Sequence, residues 1–212
     1  MTRILLLVGI LVALRVLQPV MKILIALVAG KAVGKVALAK QPDTIHLVKA
    51  DSSAWKNRAA AGAIGGGLRP CGFLDAGTYT IDPMPGVVVR LLAQPQESFY
   101  AAVYEHPKVG TWFELVSRYA DGTGACFTTS KPTGLKSRPG HVMVNVPRTT
   151  PMALYERARA ERPRGALAPA TVENAVRDFE QGYADSMAWR KNEGVSTVEV
   201  TRVAINKMDQ AA

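Results

Sequence analysis

The sequence predicts an α+β protein in which an N-terminal membrane helix precedes an antiparallel meander sheet with helices packed on one face. Three observations predict this class. Residues 4–30 are almost entirely apolar, short runs of period two occupy residues 78–146, and helical patterns return at Pro151. The predicted boundaries are a membrane anchor with a juxtamembrane helix over residues 1–40 and one soluble α+β domain over residues 41–212.

The apolar segment reads ILLLVGILVALRVLQPVMKILIALVAG and has about the length that a membrane-spanning helix needs, ~20 residues rising ~1.5 Å each. Arg15, Gln18 and Lys22 interrupt it, and on a helix they fall at similar azimuth and form one polar stripe. A cation at bilayer depth costs roughly 3 kcal/mol on insertion scales. The polar side chains of this stripe must therefore contact polar groups of a partner protein or reach the aqueous surface of the membrane.

Three arrangements satisfy that requirement. The helix can span the bilayer with the stripe against a partner protein, or tilt so that the cations reach the headgroups. Alternatively, Pro19 can divide it into two short pieces that lie in the interface. A cleaved signal peptide ending near Gly30 is a fourth interpretation, although Arg15 and Lys22 would then lie between its apolar core and the cleavage site.

Positive charge is concentrated around this segment. The chain has a formal net charge of +9, of which residues 1–40 carry +6, and no acidic residue occurs before Asp43. Lys31 and Lys35 follow the segment, whereas Arg3 precedes it, which favours a cytoplasmic soluble domain at an inner membrane. We expect contacts with membrane lipids through these lysines, and no nucleic-acid partner, because the soluble part carries only +3.

The first elements after the anchor are short. Residues 31–43 continue the helix until Pro42 ends it. Residues 45–48 form a candidate strand, and Asp51, Ser52 and Ser53 supply N-cap side chains for an alanine-rich helix that ends at Gly65.

Six further runs rich in β-branched and aromatic residues predict the sheet. They are Thr78–Ile81, Val87–Ala93, Ser98–Tyr104, Thr111–Tyr119, Thr123–Thr129 and Val142–Val146. Mostly short connections favour antiparallel neighbours, and Asp121-Gly122 is the strongest hairpin signal.

Helices are predicted again over residues 151–161 and 170–192. The second has an apolar stripe suited to docking on a sheet, formed by Val172, Val176, Phe179, Tyr183 and Met187. Gly194 is a C-cap residue for it. Residues 197–205 are rich in β-branched side chains and predict a last strand.

No enzyme signature occurs in the chain. The histidines His46, His106 and His141 lack the paired spacing of a zinc site, and no cofactor or metal is predicted. Cys71 and Cys126 can form one bridge or remain thiols. The nearest polar constellation comprises Glu105, His106, Asp121 and His141, which would support general acid–base hydrolysis if these side chains converged.

Several longer strings carry a family resemblance. They are PDTIHLV at 42–48, GFLDAGTYTI at 72–81, PMPGV at 83–87, AAVYEHPKVGTWFELVSRYADGTG at 101–124, RPGH at 138–141 and FEQGYADSMAWRKNEGVS at 179–196. The chain resembles an uncharacterised family of bacterial hypothetical proteins with an N-terminal hydrophobic segment and one globular domain. The resemblance implies no activity, cofactor or site residue.

The sequence thus favours a non-catalytic, membrane-anchored protein that serves as an accessory or scaffolding subunit of a larger membrane complex, an energy-transducing assembly being one example. Arg15, Gln18, Lys22, Lys31 and Lys35 are the expected membrane or partner contacts. The alternatives are a membrane-anchored hydrolase, or a module that binds lipid or a small molecule between the sheet and the helix over residues 170–192.

Overall fold

The fold was obtained as a computed structural model that describes residues 31–32 and 34–209. Its centre is one seven-stranded sheet whose strands lie side by side in sequence order. The strands are β1 (His46–Ala50), β2 (Leu74–Asp82), β3 (Met84–Gln94), β4 (Phe99–His106), β5 (Gly110–Arg118), β6 (Gly124–Thr128) and β7 (His141–Asn145). The predicted α+β class is confirmed at this level.

Four helices accompany the sheet in the described residues outside the segment before Pro42. They are α1 (Arg58–Leu68), α2 (Pro151–Glu161), α3 (Ala175–Glu193) and α4 (Thr197–Asp209). Side-chain caps begin α1 and α2: Asn57 accepts from the backbone N–H of Ala60 before α1, and Thr150 accepts from that of Ala153 before α2. Gly194, with φ of +75°, ends α3 as predicted.

The first six strands pair antiparallel, and the predicted Asp121-Gly122 hairpin joins β5 to β6. β6 and β7 pair parallel, so the prediction of a wholly antiparallel sheet is wrong at this pair. Twelve residues connect β6 to β7. A connection of about a dozen residues is long enough for the chain to return to the other end of the sheet and to pair parallel.

Both faces of the sheet are covered, so the prediction of helices on one face is also wrong. On the first face, α1 and α2 bury Leu68 and Leu154 against strand residues such as Phe99. On the second face, α3 packs Val176, Phe179 and Tyr183 of its predicted stripe against another set of strand residues. Adjacent buried residues in the central strands require this, because neighbours along a strand point to opposite faces.

The last predicted strand, residues 197–205, is instead part of helix α4. Ser196 and Glu199 form a capping box at its start. The Glu199 backbone N–H donates to the Ser196 Oγ over 3.3 Å, and the Ser196 backbone N–H donates to the Glu199 Oε2 over 3.0 Å. This local signal outweighs the β-branched composition of the segment.

The chain groups into two compact units. The larger comprises residues 42–131 and 137–189 and holds the sheet, whereas the smaller comprises the described residues before 42, residues 132–136 and residues 190–209. In the smaller unit, residues 34–39 are helical, as predicted for the juxtamembrane segment. Within the described residues, no helix has both the length and the apolar character to cross a membrane, and the apolar segment lies outside them.

Candidate functional site

Glu105, one of four residues predicted as a hydrolase site, lies near the end of β4 and is buried. Its two carboxylate oxygens accept hydrogen bonds from the backbone N–H groups of Lys56 and Asn57, over 3.0 and 2.9 Å. These donors lie immediately before α1, so Glu105 fixes the start of that helix. Each oxygen of the Glu105 carboxylate thus accepts a hydrogen bond from a backbone group of the same chain.

His106, the next residue of β4, begins the β4–β5 turn. Its Nδ1 accepts from the backbone N–H of Lys108 over 3.1 Å, which closes the turn locally. Glu105 and His106 therefore lie together at the end of the sheet where β5 begins.

Asp121 and His141 lie at the other end of β5, in the β5–β6 turn and at the start of β7. The Asp121 Oδ1 accepts from the backbone N–H and the hydroxyl of Thr123, over 2.9 and 2.7 Å, and these hydrogen bonds lower the pKa of Asp121. The His141 Nδ1 lies 3.2 Å from the Pro139 carbonyl oxygen.

The four predicted residues thus form two pairs separated by β5, whose nine residues span roughly 27 Å. A shared catalytic centre requires groups within hydrogen-bond reach of the same substrate atoms, about 3 Å. The geometry does not bring these side chains together. A cleft of about 260 Å³ near Asp121, lined mainly by residues 119–123 and 163–166, is below the usual size of a ligand pocket.

A half-buried polar cluster that the sequence analysis missed lies on the second face. The Tyr104 hydroxyl donates to the Glu114 Oε1 over 2.6 Å, and the Cys126 thiol lies 3.7 Å from its Oε2. The ring of Tyr104 stacks on Trp112 with centroids 4.8 Å apart. These residues meet only through the register of three strands, so spacing along the chain gave no signal for them.

The environment of this cluster raises the pKa of each of its three acidic groups. Burial raises the pKa of Glu114 despite the hydrogen bonds it accepts, and burial together with the Glu114 carboxyl raises the pKa of Cys126 well above its usual value. A thiol of raised pKa is a weak nucleophile. Cys126 and Cys71 are both free thiols.

A second cluster fastens α3 to the sheet. The Tyr100 hydroxyl donates to the Asp178 Oδ2 over 2.8 Å, and the Arg118 Nη1 donates to the Asp178 carbonyl oxygen over 3.1 Å. Burial and the hydrogen bond to Asp178 raise the pKa of Tyr100 to about 12. These hydrogen bonds hold α3 against the sheet, and each of the polar groups in this cluster has a partner within it.

In the smaller unit, Glu199 is almost fully buried and faces Arg190 across 2.8 Å. Burial alone would raise its pKa, but hydrogen bonds from the Ser196 and Lys136 backbone N–H groups and from Arg190 lower the pKa of Glu199 to about 2. The carboxylate thereby ties together three chain segments, residues 132–136, the end of α3 and the start of α4.

Of the predicted membrane or partner contacts, Arg15, Gln18 and Lys22 lie outside the described residues. Lys31 and Lys35 lie within them and are exposed. Between these lysines, Gly34 lies so close to α4 and its preceding loop that a Cβ on it would be 2.9 Å from the Val195 Cβ. The described residues contain no group of three or more His, Cys, Asp or Glu side chains that could hold a metal ion.

Comparisons of the chain with protein-family models, with curated proteins and with solved structures found no match. The resemblance to a bacterial family therefore stays a prediction.

Proposed function

We propose that this chain is a non-catalytic protein held in a membrane by residues 4–30, and that it serves as an accessory or scaffolding subunit of a larger membrane complex. The observation that carries the proposal is the polar stripe of Arg15, Gln18 and Lys22 within an otherwise apolar segment of bilayer length. Acidic or carbonyl groups of a partner subunit would offset the cost of those cations, whereas hydrocarbon would not.

The non-catalytic part of the proposal is supported by the hydrogen bonds that the described carboxylates make within the fold. Glu105 holds the start of α1 and Asp121 holds the β5–β6 turn, so each carboxylate already accepts two hydrogen bonds from its own chain. Asp178 fastens α3 in the same way. These side chains stabilise the fold itself, which is what we expect of a protein whose role is to bind a partner.

The location that we propose is the inner membrane of a bacterium, with the larger unit on the cytoplasmic side. Lys31 and Lys35 beyond the apolar segment favour this orientation over the reverse. Protease treatment of spheroplasts tests it, because a cytoplasmic domain is digested only after the membrane is opened.

Extraction of the native protein in mild detergent, followed by native sizing, tests the assembly. We expect the protein to migrate with partner subunits well above the position of its own 22.8 kDa chain in a micelle. The variant Arg15→Leu/Lys22→Leu should migrate alone, because it lacks the cations that a partner would bind. The control Lys49→Gln/Lys131→Gln loses the same charge at exposed positions of the larger unit and should remain in the assembly.

A lone monomer at native abundance would contradict the proposed assembly. Equal migration of both double variants would show that the stripe does not mediate it. Mass spectrometry of the copurified material would identify the partner.

A further inference from the structure

The outer surfaces of the two helical layers differ strongly in charge. Residues 51–71 and 147–165, which include α1 and α2, carry eight cations and three anions, a net of +5. Residues 171–189, which include most of α3, carry one arginine and four carboxylates, a net of −3. Both layers pack on the same sheet within the larger unit. Arg118 and Arg138 pair with Asp178 and Asp185 of the second layer, so this unit has one basic side and one side that is close to neutral.

Much of the positive charge on the first layer is available to a partner. Arg159 and Arg162 pair with Glu97, and Arg157 pairs with Glu161. Five other cations are exposed and form no ion pair within 4 Å with any residue that the structure describes: Lys56, Arg58, Arg69, Arg148 and Arg164. Of these, Arg58 and Arg69 act at longer range on Asp51 and Asp75, and contribute to the lowered pKa of each carboxyl. We call the surface formed by these five residues the basic face.

From this arrangement we propose that the basic face docks onto the anionic phospholipid headgroups of the membrane that holds the chain. The inference rests on the proposed anchor, because the anchor keeps headgroups close to the domain. The larger unit begins at Pro42, twelve residues after the apolar segment ends at Gly30, so even an extended connection spans at most about 40 Å. Such tethering raises the effective headgroup concentration to levels at which weak contacts form.

The composition of the face favours lipid over nucleic acid as the occupant. The aromatic residues of this layer, Trp55 and Tyr155, are buried and contribute to the core, so they offer no surface for base stacking. Met152, in α2, is 41% exposed and supplies an apolar contact of the kind that interfacial surfaces use. Cations near an anionic bilayer contribute about 1 kcal/mol each.

The test uses the full chain in nanodiscs of phosphatidylcholine with or without phosphatidylglycerol, and energy transfer from a dye on the protein to labelled headgroups. One dye position is Ala63→Cys on the exposed side of α1, and the other is Gln181→Cys on the exposed side of α3. The native thiols label slowly because burial raises the pKa of both Cys71 and Cys126.

We expect phosphatidylglycerol to increase transfer from position 63 and not from position 181, and high salt to reverse the increase. Arg148→Asn/Arg164→Gln should lower the docked-to-undocked ratio about thirtyfold. Asn suits position 148 because its φ is +63°. The control Lys49→Gln/Lys131→Gln removes two exposed cations outside the basic face and should leave the ratio unchanged.

The possible failures are distinguishable. A chain that does not remain in the nanodiscs contradicts the anchor and with it the proposed function. A chain that remains but shows the same transfer with either lipid overturns the docking inference alone. If a short DNA duplex binds the protein, is lost from the Arg148→Asn/Arg164→Gln variant, and lipid charge has no effect, the basic face is a nucleic-acid surface instead.

Discussion

The two faces of the sheet place their polar groups differently. The first face buries large apolar side chains such as Phe99 and Phe127 against α1 and α2, which contribute Leu68 and Leu154, and the exposed cations of this layer lie on its outside. The second face holds Glu114 and Asp178 clusters beside its apolar residues. The comparison indicates that the first face provides more of the hydrophobic stability, while the second fastens α3 through specific polar contacts.

The largest expected effect tests that difference directly. Leu154→Ala removes a fully buried side chain on the first face and should lower the free energy of unfolding of the sheet by about 3 kcal/mol. Val176→Ala on the second face removes a smaller, half-buried side chain and should cost about 1 kcal/mol. Urea unfolding followed by circular dichroism measures both, and equal losses would contradict the comparison.

The contrast extends to two glutamates with different partners. Glu199 of the smaller unit is buried beside a cation, whereas Glu114 is half-buried beside a hydroxyl and a thiol. The folded pKa of Glu199 is lowered to about 2 from an ordinary 4.5, so its stabilisation is present above about pH 4.5 and is lost as the pH falls toward 2. Glu199→Gln should therefore cost the helix α4 on the order of 3 kcal/mol at pH 7.

Hydrogen exchange of the α4 amides measures this local stability. The control is Glu193→Gln, whose carboxylate pairs with Lys136 at the surface and should contribute 0–1 kcal/mol. A Glu199→Gln variant that exchanges like the control at pH 7 would show that the buried ion pair does not hold α4.

Glu114 should behave in the opposite way. Its folded pKa is raised, so its protonated form is stabilising at low pH and the stabilisation is lost as the pH rises through the folded pKa. Glu114→Gln should change stability by less than about 1 kcal/mol at about pH 4, below the ordinary pKa of 4.5, and should be more stable than the native protein at pH 8. Urea unfolding at the two pH values measures this, with the exposed Glu156→Gln as control. If Glu114→Gln leaves the pH dependence of the unfolding free energy unchanged, the pKa of Glu114 is not raised in the folded protein.

The sequence predicted features that depend on neighbouring residues. Asp121-Gly122 predicted its hairpin, Gly194 predicted the end of α3, and the Val176, Phe179 and Tyr183 spacing predicted the buried side of that helix. Ser196 and Glu199 form a capping box, which is a local signal for the start of α4, and it outweighs the strand preference of the β-branched residues that follow.

What could not be predicted depends on long-range geometry. Glu105 and Asp121 are separated by 16 residues, yet β5 places them at opposite ends of the sheet. Glu114 meets Tyr104 and Cys126 only after three strands are in register. The basic face likewise emerges only when α1 and α2 lie on the same side of the sheet, since a net charge of +3 over residues 41–212 conceals it.

Fractionation of native membranes with an alkaline wash, followed by N-terminal analysis of the recovered chain, tests the central claim most directly. The account predicts that the chain stays in the washed membrane with residues 4–30 intact, and that a variant beginning at Lys31 is released. Recovery of native protein that starts beyond Gly30 in the aqueous fraction would contradict it.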